Sequence, residues 1–382
     1  MTPIPLSLYI HIPWCIRKCP YCDFNSHPAP AGVSEQEQDY VHALLQDLSE
    51  ELPAIWGRRL ESVFIGGGTP SLFSARALDD LLGGIRALLP LRPDMEITLE
   101  ANPGTFEQAR FRDFRATGIN RLSIGIQSFN PQHLQQLGRI HNREEALRAV
   151  DIARKAGFDN LNLDLMFALP QQTQAQAMAD LQQAVDLAPE HLSWYQLTLE
   201  PNTEFYKYPP SLPDDDLSAD MQLSGQALLK DSCYAQYEVS AYARSGRQCR
   251  HNLNYWTFGD YVGIGAGAHG KITQTDHTVL RYRKFRQPAR YLAQARSGGF
   301  RSNEQRISAS DLTFEFMLNA LRLRTGFTPE LFARHTGLAP DTITPALELA
   351  VSRGLLALEP QIHATAHGWR YLNEAIQLFL ED

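Results

Sequence analysis

Apolar residues recur along the chain with two different spacings. Six short runs are rich in β-branched and aromatic residues, a composition typical of strands. Between them, apolar residues lie three or four positions apart, as at Val41, Leu44, Leu45 and Leu48, which is typical of helices. Alternation of strand and helix predicts a parallel α/β sheet with right-handed crossovers. The expected strands are residues 6–12, 62–65, 96–100, 121–127, 160–166 and 191–199.

Polar residues that can cap helices support the helical segments. The side-chain oxygen of a cap residue accepts a backbone N–H that has no partner inside the helix. The expected helices are 34–52, 74–89, 105–117, 143–156, 173–187 and one that runs from Asp214 or Asp215 to 231. The expected cap residues of the first five are Ser34, Ser74, Thr105, Asn142 and Thr173.

The pattern changes twice along the chain. The proline- and aspartate-rich stretch 208–216 indicates a linker, and residues 236–305 are rich in aromatic residues and glycine without a clear period. Helical spacing returns after that. We therefore predict three parts: a core barrel over 1–235, an irregular segment over 236–305 and a small, mostly helical domain over 306–382. Within the last part, 355–368 could form the wing of a winged-helix-like module.

Composition excludes several classes of protein. Hydrophobic residues make up 43% and charged residues 20% of the 382 positions, which excludes disorder as the main state. A formal charge of −8 disfavours nucleic acid as a partner. No apolar run is long enough to form a transmembrane segment, and residues 1–15 lack the features of a signal peptide. We expect a cytoplasmic protein.

Three of the five cysteines lie in one short segment, CIRKCPYC. Cys15, Cys19 and Cys22 form the pattern C-x3-C-x2-C. Three thiolates on one loop can hold three corners of a [4Fe–4S] cluster and leave the fourth iron open to an external ligand. A zinc site completed by His11 or His27, and a fortuitous trio, are the alternatives. The other two cysteines are expected to be packing residues; they are Cys233 and Cys249.

Polar residues or glycines end or follow every expected strand after the first. Ligands of parallel barrels bind at the carboxyl ends of the strands. A glycine run also exposes backbone groups to which a ligand can come close. Individually, these positions could equally be tight turns or helix caps. Together they predict a ligand site; they are 66–70 (GGGTP), Glu100, Asn102, Gln127, Asp164, Thr198 and Glu200.

The cysteine segment resembles the signature of the radical S-adenosylmethionine superfamily, in which an aromatic residue precedes the last cysteine, as Tyr21 does here. The resemblance implies an incomplete (β/α)6 barrel and a [4Fe–4S] cluster. It also implies that S-adenosylmethionine binds the open iron through its amino and carboxylate groups. In that superfamily the reduced cluster cleaves S-adenosylmethionine to a 5′-deoxyadenosyl radical.

Further motifs resemble one branch of the superfamily, which comprises the oxygen-independent coproporphyrinogen oxidases and the related HemW haem chaperones. The motifs are YIHIPWCIRKCPYCDF, GGGTPS, LEANP, RLSIGIQSFN, LGRIHN and NLDLMFALP. The last part of the chain also resembles the C-terminal domain of that branch. The resemblance implies a cofactor site formed by Tyr9, Tyr21, Gly67, Gly68, Thr69, Glu100, Gln127, Arg139, Asp164 and Thr198.

Two departures separate the chain from the oxidases. The oxidase pattern has a further cysteine two residues after the third, where this chain has Phe24. The oxidases also have a long segment before the first barrel strand, whereas Tyr9 lies near the start here. Both departures favour a chaperone. Oxygen-independent coproporphyrinogen III dehydrogenation and radical chemistry on another substrate stay open as alternatives, so whether the chain is an enzyme is left undecided.

The resemblance also implies haem binding through the motif HNLNYW at 251–256. Histidine is a common axial ligand of haem iron, and aromatic rings can flank a porphyrin. We therefore expect His251 to bind haem beside Tyr255 and Trp256, in an exposed loop. The expected partners are haem and haem-acceptor proteins, membrane-bound respiratory enzymes among them, and a homodimer stays open. The residues that could pair with the propionates, or form a solvated basic face or docking patch, are Arg281, Arg283, Lys284 and Arg286.

Overall fold

The computed structural model describes residues 4–30, 33–104 and 108–380. Its strands are β1 (Leu6–Ile12), β2 (Trp14–Cys15), β3 (His27–Pro28), β4 (Leu60–Gly67), β5 (Leu91–Ala101), β6 (Arg121–Gln127), β7 (Leu161–Phe167), β8 (His191–Gln196), β9 (Ala235–Gln236), β10 (Ala241–Ala243), β11 (Asp260–Ile264), β12 (His269–Thr273), β13 (Val279–Lys284), β14 (Arg301–Arg306), β15 (Leu356–Ala357) and β16 (His363–Ala364).

The α-helices are numbered in chain order over the described residues. They are α1 (Val33–Ile55), α2 (Ala75–Leu88), α3 (Phe111–Ala116), α4 (Pro131–Gln136), α5 (Arg143–Lys155), α6 (Gln174–Asp186), α7 (Glu204–Lys207), α8 (Asp215–Asp231), α9 (Arg250–Trp256), α10 (Pro288–Gln294), α11 (Ala309–Ala320), α12 (Pro329–Thr336), α13 (Thr344–Ser352), α14 (Ala366–Arg370) and α15 (Leu372–Gln377).

Twelve strands form one sheet, in the order β14-β13-β12-β11-β1-β4-β5-β6-β7-β8-β10-β9. The six strands from β1 to β8 in this order are all parallel to one another. This confirms the predicted parallel sheet. β1 and β6 have the predicted bounds, whereas β5 begins at Leu91 rather than at residue 96, and β8 ends at Gln196 rather than at residue 199.

The two faces of the parallel strands differ in polarity. Side chains alternate between faces along a strand, and Leu8 and Ile10 of β1 belong to the main apolar core, which the helices cover. On the opposite face, Ser7 Oγ lies 2.9 Å from Ser62 Oγ, and the amide of Asn162 donates to Ser123 Oγ at 2.8 Å. This polar face of the sheet carries the candidate site.

Residues 236–305 are not irregular. They contain α9 and four strands that extend the sheet beyond β1, first β11 parallel to it and then β12 to β14 antiparallel. The sequence shows no clear period of apolar residues here because cations occupy buried positions. Lys271 pairs with Asp260 at 3.0 Å, and Lys284 pairs with Asp47 at 2.5 Å. The division into three domains stays a prediction.

Most predicted helix starts are correct. The side chains of Ser74, Asn142, Thr173 and Asp214 each accept a backbone N–H of the first turn. α1 begins at Val33, one residue before the predicted cap Ser34, whose side chain lies outside the description. The predicted cap Thr105 lies outside the described residues. Among the described residues, no helix combines the length and the apolarity of a membrane span.

The C-terminal helices form a second apolar core. Phe316, Phe327 and Phe332 pack together there, with the first two ring centroids 5.0 Å apart. β15 and β16 pair as an antiparallel hairpin inside the stretch predicted to form a wing. The chain's last two helices, α14 and α15, are short and meet at Tyr371.

Candidate functional site

Cys15, Cys19 and Cys22 lie on the loop that follows β1. Cys15 ends β2, which pairs with β3, and the N–H of Cys22 donates to the carbonyl of Cys19 at 3.1 Å, so the loop folds back on itself. All three cysteines are free thiols. All three also line one cavity of about 340 Å³, here called the cysteine cavity.

The thiols suit a cluster better than a single metal ion. Zinc needs its ligands within about 2.0–2.3 Å of one point, and over residues 4–30, 33–104 and 108–380 no three Cys, His, Asp or Glu side chains converge in that way. Each thiolate of a [4Fe–4S] cluster instead binds a different iron. His11 is occupied elsewhere, since its ring nitrogens lie 2.9 Å from the Tyr9 hydroxyl and 2.9 Å from the Asn25 carbonyl. The donor set therefore fits a cluster.

Five consecutive parallel strands reach the cysteine cavity. Gly67 of β4, Glu100 of β5, Gln127 of β6, Asp164 of β7 and Tyr195 of β8 all line it. Neighbouring strands lie about 4.8 Å apart, so a flat sheet would spread these five residues over about 19 Å. Because they share one cavity, the sheet must curl around its polar face.

Two half-buried carboxyl groups, those of Glu100 and Asp164, face the cavity. Burial, and then the charge of Asp164, raise the pKa of Glu100 to about 8. Glu100 accepts the N–H of Gly67 at 3.0 Å. Burial also raises the pKa of Asp164, which accepts from Asn162 at 2.7 Å and from Ser123 at 3.1 Å. A ligand that brings amino or hydroxyl donors would find acceptors here and would relieve the cost of burying them.

The glycine run lets backbone segments come close to one another. Gly67 has φ +115°, and a Cβ there would lie 2.6 Å from the ring of His11. A Cβ on Gly68 would lie 2.6 Å from the carbonyl oxygen of Trp14. A side chain at Gly67 would push β4 away from β1, and one at Gly68 would push the chain away from the cysteine loop. The run is therefore needed to seat the loop that forms one wall of the cavity.

Arg139 is fixed beside the cysteine loop. Its guanidinium donates to Asn102 Oδ1 at 2.6 Å and to the Gly125 carbonyl at 2.7 Å, and it lies 3.7 Å from Cys19 Sγ. Its buried Nε has no protein partner among the described residues. An unpaired buried donor is unusual, and a ligand oxygen would satisfy it.

The structure brings together most of the residues that the sequence predicts for the cofactor site. Two lie elsewhere. Thr198 is exposed beyond the end of β8 and donates to Glu200 at 2.7 Å, whereas Tyr9 lies on β1 and lines a different groove. The predicted residues that line the cysteine cavity are Cys15, Cys19, Tyr21, Cys22, Gly67, Gly68, Thr69, Glu100, Gln127, Arg139 and Asp164.

Sequence reasoning missed several residues of the cavity, among them Ser123, Ser193 and Tyr195. The Tyr195 hydroxyl donates to Gln127 Oε1 at 2.8 Å. A signal was present, because Ser193 and Tyr195 alternate with buried apolar residues along β8 and so share the polar face. The prediction considered only strand ends and left this alternation out.

His251 is not in an exposed loop, and that expectation was wrong. It lies on α9 and is 1% exposed, with Nδ1 2.9 Å from Ser62 Oγ and Nε2 3.0 Å from the Tyr255 hydroxyl. Burial lowers its pKa to about 3. The physical reason is that α9 packs on the polar face of the sheet, where Glu96 accepts the backbone N–H of His251 at 3.2 Å. Whether His251 contributes to haem binding stays a prediction.

The other two residues of the motif point in different directions. Trp256 packs under the guanidinium of Arg322, which lies 4.3 Å from its ring centroid. Tyr255 lines an open groove of about 440 Å³, here called the second groove. Phe24 lines both the second groove and the cysteine cavity, so the two are neighbours.

The basic run splits into two pairs. Arg281 pairs with Glu315 at 2.5 Å, and Lys284 is fully buried against Asp47. Arg283 and Arg286 are exposed and line the second groove. Two of the four cations are therefore structural, and two face a cavity.

Comparison with known proteins identifies the family. The model of the radical SAM superfamily matches residues 9–184, and that of the HemN C-terminal domain matches residues 307–371. The chain is 50% identical over 379 residues to the heme chaperone HemW of Escherichia coli strain K12, covering 99% of each chain. This chain belongs to the HemW family. The HemW of Haemophilus influenzae is 48% identical over 383 residues, which cover 99% of this chain and 98% of that one.

The family identity agrees with the fold. HemW of Bacillus subtilis is 32% identical over 382 residues, covering 98% of this chain and 99% of that one. The coproporphyrinogen III oxidase HemN of Escherichia coli, described as a radical SAM enzyme, matches with a TM-score of 0.83, 23% identity, and coverage of 99% of this chain and 90% of that one. These matches confirm the predicted fold class, a radical SAM barrel followed by a small C-terminal domain.

Proposed function

We propose that this chain binds haem as cargo and transfers it to acceptor proteins, with a [4Fe–4S] cluster on Cys15, Cys19 and Cys22. The full-length similarity to proteins named heme chaperone HemW carries the proposal. Phe24 supports it, because this chain lacks the extra thiol of the oxidase pattern there. Membrane-bound respiratory enzymes are the class of acceptor that the resemblance suggests.

S-adenosylmethionine would occupy the cysteine cavity. Glu100 and Asp164 would accept hydrogen bonds from its amino and ribose hydroxyl groups, and Arg139 would pair with its carboxylate. A bound, reduced cluster supplies the electron that cleaves S-adenosylmethionine in this superfamily. The residues of this chain would bind and orient the ligand.

Haem titration of the anaerobically purified protein tests the function. We expect saturable binding, followed by transfer of the haem to apomyoglobin, which serves as a probe acceptor. Free haem at the same concentration and bovine serum albumin loaded with haem are the controls for passive release. Absence of saturable binding, or transfer no faster than from albumin, would contradict the proposal.

Coproporphyrinogen III dehydrogenation is the second candidate. The fold match with the oxidase HemN and the carboxyl groups in the cysteine cavity favour it. We expect no protoporphyrinogen when the reconstituted protein is incubated with coproporphyrinogen III, S-adenosylmethionine and a reductant. Catalytic formation of that product would make the chain an oxidase.

A further inference from the structure

Most of the buried histidines of this chain are already committed to the fold. In addition to His251, His191 has its ring nitrogens 2.6 Å from Asn162 and 2.8 Å from Tyr237. His141 is buried and bonded to the Ile126 carbonyl. An axial ligand needs a free ring nitrogen that a flat macrocycle can reach, and the rings of His251 and His191 do not offer one.

His269 differs from them. It begins β12, is exposed, and lines the second groove. Neither of its ring nitrogens has a hydrogen-bond partner in the part of the chain that the structure describes. It is thus a histidine that can coordinate a metal without breaking a bond of the fold.

The walls of the second groove suit a flat apolar molecule. Phe24 is 60% exposed although it is a large apolar residue. On another wall, the rings of Tyr255 and Tyr261 are perpendicular, with centroids 4.6 Å apart. A volume of about 440 Å³ lies in the range of small-molecule sites, roughly 300–1,000 Å³.

The charges of the groove suit a ligand with acidic groups at one edge. Arg283 and Arg286 line it, and among the described residues no ion pair engages either of them. Asp23 is the one carboxylate among the lining residues. Guanidinium groups pair well with carboxylates, which makes these two arginines suitable partners for propionates.

The groove is fixed to the cysteine loop. The amide of Asn25 donates to the carbonyls of Ala266 and Arg286, at 2.9 Å each, which joins the loop to the segments on either side of the β12–β13 hairpin. Tyr255 is held from behind by its hydrogen bond to His251. The motif HNLNYW would then contribute to this site indirectly, with His251 as a positioning residue that holds Tyr255 in the wall of the groove.

We propose that haem binds in the second groove, with His269 as an axial ligand of its iron and Arg283 and Arg286 paired with its propionates. This rests on the proposed function and gives it a site. Phe24 and Tyr255 flank the macrocycle, and the open side of the groove leaves a route for release to an acceptor.

Haem titration of full-length variants tests the ligand. His269→Ala should lower haem affinity about tenfold or more and shift the Soret band, because the axial imidazole is lost. His277→Ala, on the turn of the same hairpin, is the matched control and should bind like the wild type. His269→Met keeps a donor of another kind and should bind with a different spectrum. Circular dichroism and iron content establish that each variant is folded.

A second comparison tests the propionates. The double variant Arg283→Gln/Arg286→Gln should bind haem about tenfold more weakly but haem dimethyl ester as well as the wild type does, because the ester lacks the two charges. Equal losses for both ligands would overturn the propionate assignment. Wild-type affinity and spectrum in His269→Ala would overturn the site and leave haem carriage standing. No binding by the wild type would overturn the proposed function itself.

Discussion

The ring of His251 is tied to Tyr255, one turn further along α9, by a hydrogen bond of 3.0 Å between Nε2 and the hydroxyl. The same ring reaches Ser62 on β4 with Nδ1. One buried histidine therefore connects the sheet to a tyrosine that lines the second groove. This relationship gives the motif a structural role that a search for exposed ligands does not suggest.

Replacing His251 with alanine should destabilise the protein. The change removes the partner of the Tyr255 hydroxyl and one of the two partners of Ser62, which keeps Ser7. Losing a buried hydrogen-bond partner costs about 1–3 kcal/mol. The free energy of unfolding, from urea denaturation, should fall by that order, while the iron content of the reconstituted protein is retained. His42→Ala, at an exposed position of α1, is the control. Unchanged stability in His251→Ala would contradict this role.

Each of Cys15, Cys19 and Cys22 should be essential for the cluster. Alanine at any one of them removes a thiolate, so iron, sulfide and visible absorbance after anaerobic reconstitution should be lost. Cys233→Ala is the matched control, because Cys233 is an exposed free thiol outside the cysteine cavity. Full retention of iron in all three variants would show that the cluster is held elsewhere.

Asp164→Ala should weaken binding of S-adenosylmethionine. Loss of a hydrogen bond to a charged group costs about 1.5–3 kcal/mol, which isothermal titration calorimetry of the reconstituted protein can resolve. The cluster content should not change. Thr198→Val is the control, since Thr198 lies outside the cavity. Wild-type affinity in Asp164→Ala, Glu100→Gln and Gln127→Ala alike would place the ligand in another pocket.

Glu100 should make the apo protein less stable as pH rises. Its pKa in the fold is about 8, against 4.5 for the ordinary group. A raised carboxyl pKa favours the fold fully below the ordinary value, and this contribution is lost as pH rises through the folded value. Thermal melts between pH 5 and pH 8.5 should therefore decline less steeply in Glu100→Gln than in the wild type. Parallel curves would contradict the burial of an ionisable Glu100.

Lys284 and Arg283 are neighbours in sequence with opposite roles. Lys284→Met should destabilise the fold by about 3–5 kcal/mol, because Asp47 would stay buried without a cation and Glu51 would keep only Arg301. Arg283→Gln should leave stability nearly unchanged, because Arg283 is exposed. Urea denaturation of the two variants side by side checks the contrast. A small effect in Lys284→Met would show that the buried carboxyl groups are neutral.

Local patterns carried the features that sequence reasoning predicted correctly. Strand–helix alternation follows from the spacing of apolar residues, and the three cysteines lie within one loop, so both could be recognised without tertiary contacts. The polar strand ends also converge as expected, because parallel strands end at the same edge of a sheet. Thr198 was misplaced because the strand before it ends at Gln196.

Long-range pairs explain what the sequence did not predict. Lys284 lies 237 positions from Asp47, and His251 lies 189 positions from Ser62. From the sequence alone, a buried cation is taken for a surface residue until its partner is known. A buried histidine is likewise taken for a metal ligand. For the same reason, the sequence did not single out His269 as a candidate ligand. Phe24, Arg283 and Arg286 line a groove with it only in the folded chain.

The two edge strands of the twelve-stranded sheet differ from each other, and both disfavour pairing with a further strand. At one margin β14 is exposed along almost its whole length and carries Arg301, Glu304 and Arg306; at the other, β9 has only two residues. Charged or very short edge strands are the usual protection against pairing between molecules. Any partner of this chain would then be recognised through side-chain surfaces and not by backbone pairing, so it could dissociate without exposing an edge that promotes aggregation.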